Sequence, residues 1–251
     1  LVKSVKTSVP LSYAQTGVFV ACMNNPDSTL YNIPMKLSLP TQVDTEQLKE
    51  AVITIIKSHP QLSVHFENED SETMQVTDPD QEVTIPVLVM SEEELEAHQQ
   101  DFVKPFNLEQ GPLYRVEIVK MPQRVCLFTD FHHLVADGGS YDLFFRQLCS
   151  ALEGEPIEPE ALSYADYVTA EKEASKGEEY AADKAFFDKR LDGCDGATEI
   201  IADLSNPQEG GTIGYTYAPI DMSRIEAFCR ELQVTPAHLT LAATLYTLSR
   251  F

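Results

Sequence analysis

Residues Val125 to Ser140 read VCLFTDFHHLVADGGS, and the fold follows from how that stretch divides. Val125 to Phe131 is apolar and rich in β-formers. His132 to Ser140 then brings two imidazoles, three apolar or small residues, an aspartate, a Gly-Gly pair and a hydroxyl. An amphipathic segment from Tyr141 to Leu152 follows. This pattern predicts a strand that delivers side chains to a loop at its end, where a helix begins and Ser140 is suited to capping it. Immediately upstream, Leu113 to Lys120 reads as a second apolar strand. Met121-Pro122-Gln123 separates it from Arg124 to Phe131, so the two form a hairpin whose second arm feeds the histidine loop.

The flanking segments alternate helix and strand. Ser12 and Gln15 form a capping box that opens a mostly apolar helix to Asn24, interrupted by Gly17. Tyr31 to Leu39 reads as a strand, with Pro34 pointing to an edge position or a late start. Asp44 opens a helix whose buried stripe is Leu48, Val52, Ile55 and Ile56, ending near His59-Pro60. Strands at Leu62 to Phe66 and Met74 to Thr77 flank an acidic turn, Glu67 to Glu72. Val83 to Val89 is a short strand or an extended connection, and Ser91 with Glu94 caps an acidic helix to about Val103. Glu153 to Glu160 reads as a Pro/Glu linker, followed by helices between Tyr164 and Leu191 that are largely solvated on one face.

Residues 192–211 are turn-rich and form the best domain boundary. Thr212 to Ile220 then reads as a strand, Ser223 to Leu232 as a helix boxed by Ser223 and Glu226, and Pro236 to Phe251 as an apolar helix. A helix carrying Leu239, Leu241, Leu245 and Leu248 needs a packing partner, and it reads as the opening of a second lobe.

Composition limits the function classes. The chain has 251 residues, 43% of them hydrophobic and 9% aromatic, enough for a large core. Its formal charge of -22, from 40 acidic against 18 basic residues, opposes a phosphate backbone, and no basic cluster with interleaved aromatics appears, so no nucleic-acid partner is expected. No run of about 18 apolar residues suggests a membrane span. The five cysteines are odd in number and never form a CxxC pair, which suits a reducing cytoplasm.

The chemistry concentrates at the histidine loop. Adjacent residues on extended backbone point to opposite faces, so His132 and His133 have different roles, one turning into the scaffold and one toward a cavity. The spacing alone does not say which. A neutral imidazole can take a proton from an attacking amine, alcohol or thiol near neutral pH. Asp137 either orients an imidazole or pairs with a cation and locks the loop. Gly138 and Gly139 permit a tight turn, with N–H groups near a helix N-terminus where negative charge is favoured. These parts suit acyl transfer without a covalent nucleophile. A metal site is disfavoured because adjacent histidines diverge and no further carboxylate or cysteine stands at ligand spacing. Ser140 lacks the Gly-x-Ser-x-Gly context of a nucleophile.

HHLVADGGS resembles the HHxxxDG signature of the condensation domains of nonribosomal peptide synthetases, members of the chloramphenicol-acetyltransferase-like, CoA-dependent acyltransferase superfamily. Three further matches occur in the family's order. LSYAQ (Leu11 to Gln15) resembles its opening SxAQ motif, HPQLSVHF (His59 to Phe66) its second motif, close to RHExLRTxF, and SYADYV (Ser163 to Val168) its YxDY segment. Gly17 stands where the family commonly has arginine, and Ser58, Pro60 and Ser63 stand at positions usually Arg, Glu and Arg. Gly139 replaces an aromatic residue often found after the DG.

The resemblance implies an α/β fold: a two-layer αβ sandwich lobe with a mixed sheet and flanking helices at 1–190, a crossover at 191–211, and the truncated start of a second lobe at 212–251. It implies joining of an upstream acyl or peptidyl thioester to the amine of a downstream aminoacyl thioester. His133 is then the main catalytic residue, His132 and Asp137 are structural or orienting, Asp137 pairs with an arginine, and the Gly138 N–H polarises the thioester carbonyl. No metal or directly bound cofactor is implied. Substrates arrive on the phosphopantetheine of upstream and downstream carrier proteins, beside an adenylation domain and the missing C-terminal lobe, so the chain alone is expected to be a poor catalyst. Two other readings of the same fold stay open: a non-catalytic carrier-binding scaffold, and a stand-alone acyl-CoA-dependent acyltransferase.

Overall fold

The computed structural model describes residues 7–69, 72–158, 160–194 and 221–250. The strand expected at Thr212 to Ile220 and most of the crossover lie outside them. The chain divides into two compact units, Leu1–Phe186 and Phe187–Phe251.

The first unit is built around β7 (Arg124–His132), which pairs antiparallel with β2 (Asn32–Pro40) on one side and β6 (Tyr114–Lys120) on the other. The short β5 (Val87–Val89) joins β6 in parallel, giving a mixed four-stranded sheet in the order β2-β7-β6-β5. β2 is therefore an edge strand, which tolerates Pro34 because no neighbour on that side needs its N–H. Val125 to His132 is buried at every residue because both faces of β7 are covered. On one face Val125, Leu127 and Phe131 meet Leu48, Val52, Ile55 and Ile56 of α2 (Thr45–Ser58) and Phe144 and Leu148 of α4 (Gly138–Leu152). On the other, Cys126 and Phe128 meet Leu95 and Phe102 of α3 (Glu92–Phe102). Period-2 alternation thus serves two cores, and each fully buried aliphatic side chain contributes about 1.5–3 kcal/mol.

Local chemistry sets the helix ends. Asp44 caps α2 by accepting from the N–H groups of Glu46 and Gln47 at 2.8 and 3.2 Å. The helix stops at Ser58, and Pro60 starts a short 3-10 turn, Pro60–Ser63. The capping boxes at Ser12/Gln15, opening α1 (Tyr13–Asn24), and at Ser91/Glu94, opening α3, are both formed.

A second, three-stranded antiparallel sheet has the order β1-β4-β3, from β1 (Ser8–Pro10), β3 (Val64–Glu69) and β4 (Glu72–Thr77). β1 is not foreseen from the sequence, since three residues show no alternation. β3 and β4 also extend into the stretch expected to be an acidic turn, because Glu67, Asn68 and Glu69 stay exposed while their backbone pairs with β4. α4 begins at Gly138, three residues before the amphipathic pattern, because Asp137 and not Ser140 is its N-cap. Two further helices, α5 (Tyr164–Ala174) and α6 (Glu178–Leu191), follow. α5 buries Val168, and α6 buries no described residue.

In the second unit α7 (Met222–Glu231) is capped by Asp221, whose Oδ1 accepts from the Ser223 N–H at 3.1 Å. This corrects the expected Ser223/Glu226 box: the helix starts earlier, and Asp221 accepts from the N–H groups of Ser223 and Arg224. In α8 (Pro236–Leu248) Leu241, Leu245 and Tyr246 are exposed, although the sequence called for packing.

One buried ion pair stands just ahead of the histidine loop. The side chain of Asp130 is 0% exposed, with Arg115 Nη1 at 2.8 Å and Asn32 Nδ2 at 2.8 Å from its Oδ2. Burial raises its pKa, against the Asn32 bond and the Arg115 charge. Arg115→Met leaves that carboxylate buried and unpaired, and urea denaturation is expected to show a loss of about 3 kcal/mol. The Arg115→Met/Asp130→Leu double variant is expected to recover most of it.

Candidate active site

The loop after β7 begins with two hydrogen bonds across the sheet edge. The His132 N–H donates to the Leu113 carbonyl and the His133 N–H to the Tyr31 carbonyl, both at 2.9 Å. The chain then turns, and the His132 carbonyl accepts from both Val135 and Ala136 at 2.9 and 3.2 Å. Asp137 closes the turn as the α4 N-cap. Its Oδ1 accepts from the Ser140 N–H at 2.8 Å and the Ser140 hydroxyl at 2.7 Å, while its own N–H donates to Ser140 Oγ at 3.1 Å. Those bonds hold its carboxyl below the usual range. The expected arginine partner is replaced here by Ser140.

The two histidines diverge. His132 is 4% exposed, and its Nδ1 accepts the Leu134 N–H at 3.1 Å. The ring proton therefore sits on Nε2, facing Cys22 Sγ at 3.6 Å. Burial, with a smaller contribution from the neighbouring His133, pushes its pKa down to about 4. His133 is exposed and lines a cavity of about 560 Å³, its ring edge-on to Tyr31 at 6.4 Å. The geometry thus separates a neutral, buried imidazole from an accessible one, which the spacing had left undecided. Gly138, the first residue of α4, is exposed and is not part of the cavity wall.

That wall gathers segments far apart in sequence. Gln15 comes from α1, His59, Gln61 and Leu62 from the turn after α2, Phe131 and His133 to Asp137 from β7 and its loop, and Ser163, Tyr164 and Tyr167 from the start of α5. Apolar side chains such as Ile55, Leu62, Leu143, Phe144 and Leu162 fill the rest. Hydrogen bonds tie the segments together. Ser12 Oγ lies 2.9 Å from the Tyr164 hydroxyl, the Tyr13 N–H donates to Glu171 at 2.9 Å, and Gln15 Nε2 donates to the Leu134 carbonyl at 2.9 Å.

Three contributors to this region were not singled out from the sequence. Glu160, from the segment read as a Pro/Glu linker, pairs with His59 Nδ1, and Gln147 Oε1 lies 2.7 Å from His59 Nε2. Burial lowers the His59 pKa, but the bonds to Glu160 and Gln147 and the Glu160 charge outweigh it, and the net shift is upward. Gln75 is 2% exposed in β4 and bonds Gln15 and Gln61. Its only signal was a polar residue within MQVT, between the apolar Met74 and Val76. Among the described residues no group of three or more His, Cys, Asp or Glu side chains is arranged to hold a metal ion. No helix there is long and apolar enough to cross a membrane.

Comparison with known proteins gives one consistent result. The family model described as "Condensation domain" matches residues 5–251. Surfactin synthase subunit 1 of Bacillus subtilis (strain 168) is 29% identical over 240 residues, covering 93% of this chain and 7% of that protein. The solved condensation domain from Monacolin K polyketide synthase MokA matches with a TM-score of 0.81 at 17% identity, covering 97% of this chain and 60% of the other. A variant of the starter condensation domain of rhizomide synthetase RzmA, in complex with C8-CoA, matches with a TM-score of 0.65 at 24% identity, covering 74% and 46%. The chain thus spans about half the length of the solved domains and a small share of the curated synthase.

The buried His132 gives a pH test with a definite sign. It is neutral in the fold down to about pH 4, whereas an unfolded histidine binds its proton below about 6.5. The unfolded chain therefore binds more protons between those values, and stability is lost as pH falls through that window. Thermal denaturation of His132→Gln between pH 7 and about 4 is expected to show a shallower acid loss than the parent chain, which removes this contribution.

Proposed function

The chain belongs to the condensation-domain family, and we propose on that footing that it carries the reacting-centre histidine of a peptide-bond-forming acyltransferase. The observation that carries this reading is the divergence at the signature: His133 alone of the two imidazoles opens into a cavity walled by all four motif segments. In the proposed reaction the amine of a downstream aminoacyl thioester attacks the carbonyl carbon of an upstream acyl or peptidyl thioester. A C–N bond forms, the C–S bond breaks, and the proton lost by the amine passes through His133 to the departing thiolate. Asp137 holds the turn, His132 supports the sheet end, and the exposed Gly138 N–H, beside the cavity wall at the N-terminus of α4, is assigned to the carbonyl oxygen.

The proposed setting is a larger synthetase. Residues 1–190 form the N-terminal lobe, 191–211 the crossover and 212–251 the start of the second lobe. Substrates come on the phosphopantetheine of two carrier proteins, loaded by an adjoining adenylation domain. The RzmA domain in complex with C8-CoA supports an acyl thioester as the ligand class. A cytoplasmic location fits the five free cysteines.

The same fold also serves the reading of a free-standing acyl-CoA-dependent enzyme, and the donor separates the two. The intact synthetase, given one acyl group on a carrier protein or on CoA with a constant aminoacyl carrier acceptor, is expected to show a kcat/KM at least about tenfold higher for the carrier donor. Equal use of both donors overturns the carrier-dependent assignment, and no amide from either supports a scaffold.

A further inference from the structure

The SxAQ-like segment has no part in the chemistry above, yet its glutamine reaches the histidine loop. Gln15 is 4% exposed, and all four of its amide hydrogen-bonding positions are used. Its Oε1 accepts from the Ser12 N–H at 3.0 Å and from Gln75 Nε2 at 2.9 Å. Its Nε2 donates to Gln75 Oε1 at 3.3 Å and to the Leu134 carbonyl at 2.9 Å. The orientation of the amide is fixed by its backbone partners: reversed, it would set donor against the Ser12 N–H and acceptor against the Leu134 carbonyl. Gln75 extends the pair, donating to the Pro10 carbonyl at 3.0 Å and accepting from Gln61 at 3.1 Å.

The Leu134 carbonyl follows the His133 peptide directly. The other nearby anchors are the His133 N–H on Tyr31 and the Leu134 N–H on His132 Nδ1. Both act on the N-terminal side of Leu134. Gln15 supplies the side-chain bond on the far side, from a helix whose N-terminus is fixed by its own capping box. We propose that Gln15 is a positioning residue: by holding the Leu134 carbonyl it sets the direction in which His133 enters the cavity. In the kinetic arm of its test the proposal rests on the reading of His133 as the reacting-centre imidazole.

The control is Gln75. Gln75→Met removes a buried amide from the same network but leaves the Gln15 bonds to Ser12 and Leu134 in place. Gln15→Met removes the bond to Leu134. In the full 251-residue chain, NMR of the His133 imidazole is expected to show a displaced resonance in Gln15→Met, with Gln75→Met close to the parent. Equal perturbation by both variants, or none by either, overturns the proposal, and this readout does not depend on activity. In the intact synthetase Gln15→Met is expected to lower kcat about tenfold with KM little changed, and Gln75→Met to leave kcat within about twofold. Thermal unfolding checks that both fold. Gln15→Glu separates positioning from packing, because its buried carboxyl donates to Leu134 only when protonated. Its rate relative to the parent is expected to rise from about pH 8 to about pH 6, and a flat ratio counts against the proposal. If the parent forms no amide, the functional reading fails and the imidazole resonances still decide the role of Gln15.

Discussion

The site depends on a strand that is buried on both faces and ends abruptly at a hydrogen-bonded corner. β7 is clamped between β2 and β6 along its length, and the N–H groups of His132 and His133 at its end are taken by the Leu113 and Tyr31 carbonyls. Because side chains alternate along a strand, that fixed register decides which histidine is buried. A slip of one residue would bury His133 and expose His132. The four apolar residues of α2 and the two of α4 that pack on Val125, Leu127 and Phe131 hold the register, so the core and the site share one cause.

Burial then divides the chemistry. A neutral imidazole costs little to bury when each nitrogen has a partner, and His132 has Leu134 and Cys22. Its low pKa keeps it uncharged beside an accessible histidine. The opposite shift occurs across the cavity, where the bonds to Glu160 and Gln147 and the Glu160 charge raise the pKa of His59. The cavity thus has an apolar floor, the hydrogen-bonded His59 and Glu160 at its side and the exposed imidazole of His133 in its wall.

Much of this was legible in the sequence, and the failures share a pattern. Capping boxes at Ser12 and Ser91, the α2 stripe, the hairpin and the edge position suggested by Pro34 all depend on chemistry within a few residues or on one clear periodicity. β1 was not, because a three-residue strand is defined by its partner β4. Glu160 and Gln75 were not, because a carboxylate in a Pro/Glu stretch and an amide in a short strand look like solvated residues until the fold brings His59 and Gln15 to them. The start of α4 was misplaced because Asp137 and Ser140 are both good caps, and the choice between them lies in backbone geometry. The histidine pair was readable as divergent, but its direction required the register.

The most direct measurement is the single-turnover rate of amide formation by the intact synthetase carrying His133→Ala, with both carrier proteins loaded and unfolding monitored alongside. A fall of about 10²–10⁴-fold at unchanged stability is expected for the loss of an imidazole acting on the transferred proton. A near-normal rate in a folded variant would contradict the assignment of His133 to the reaction centre.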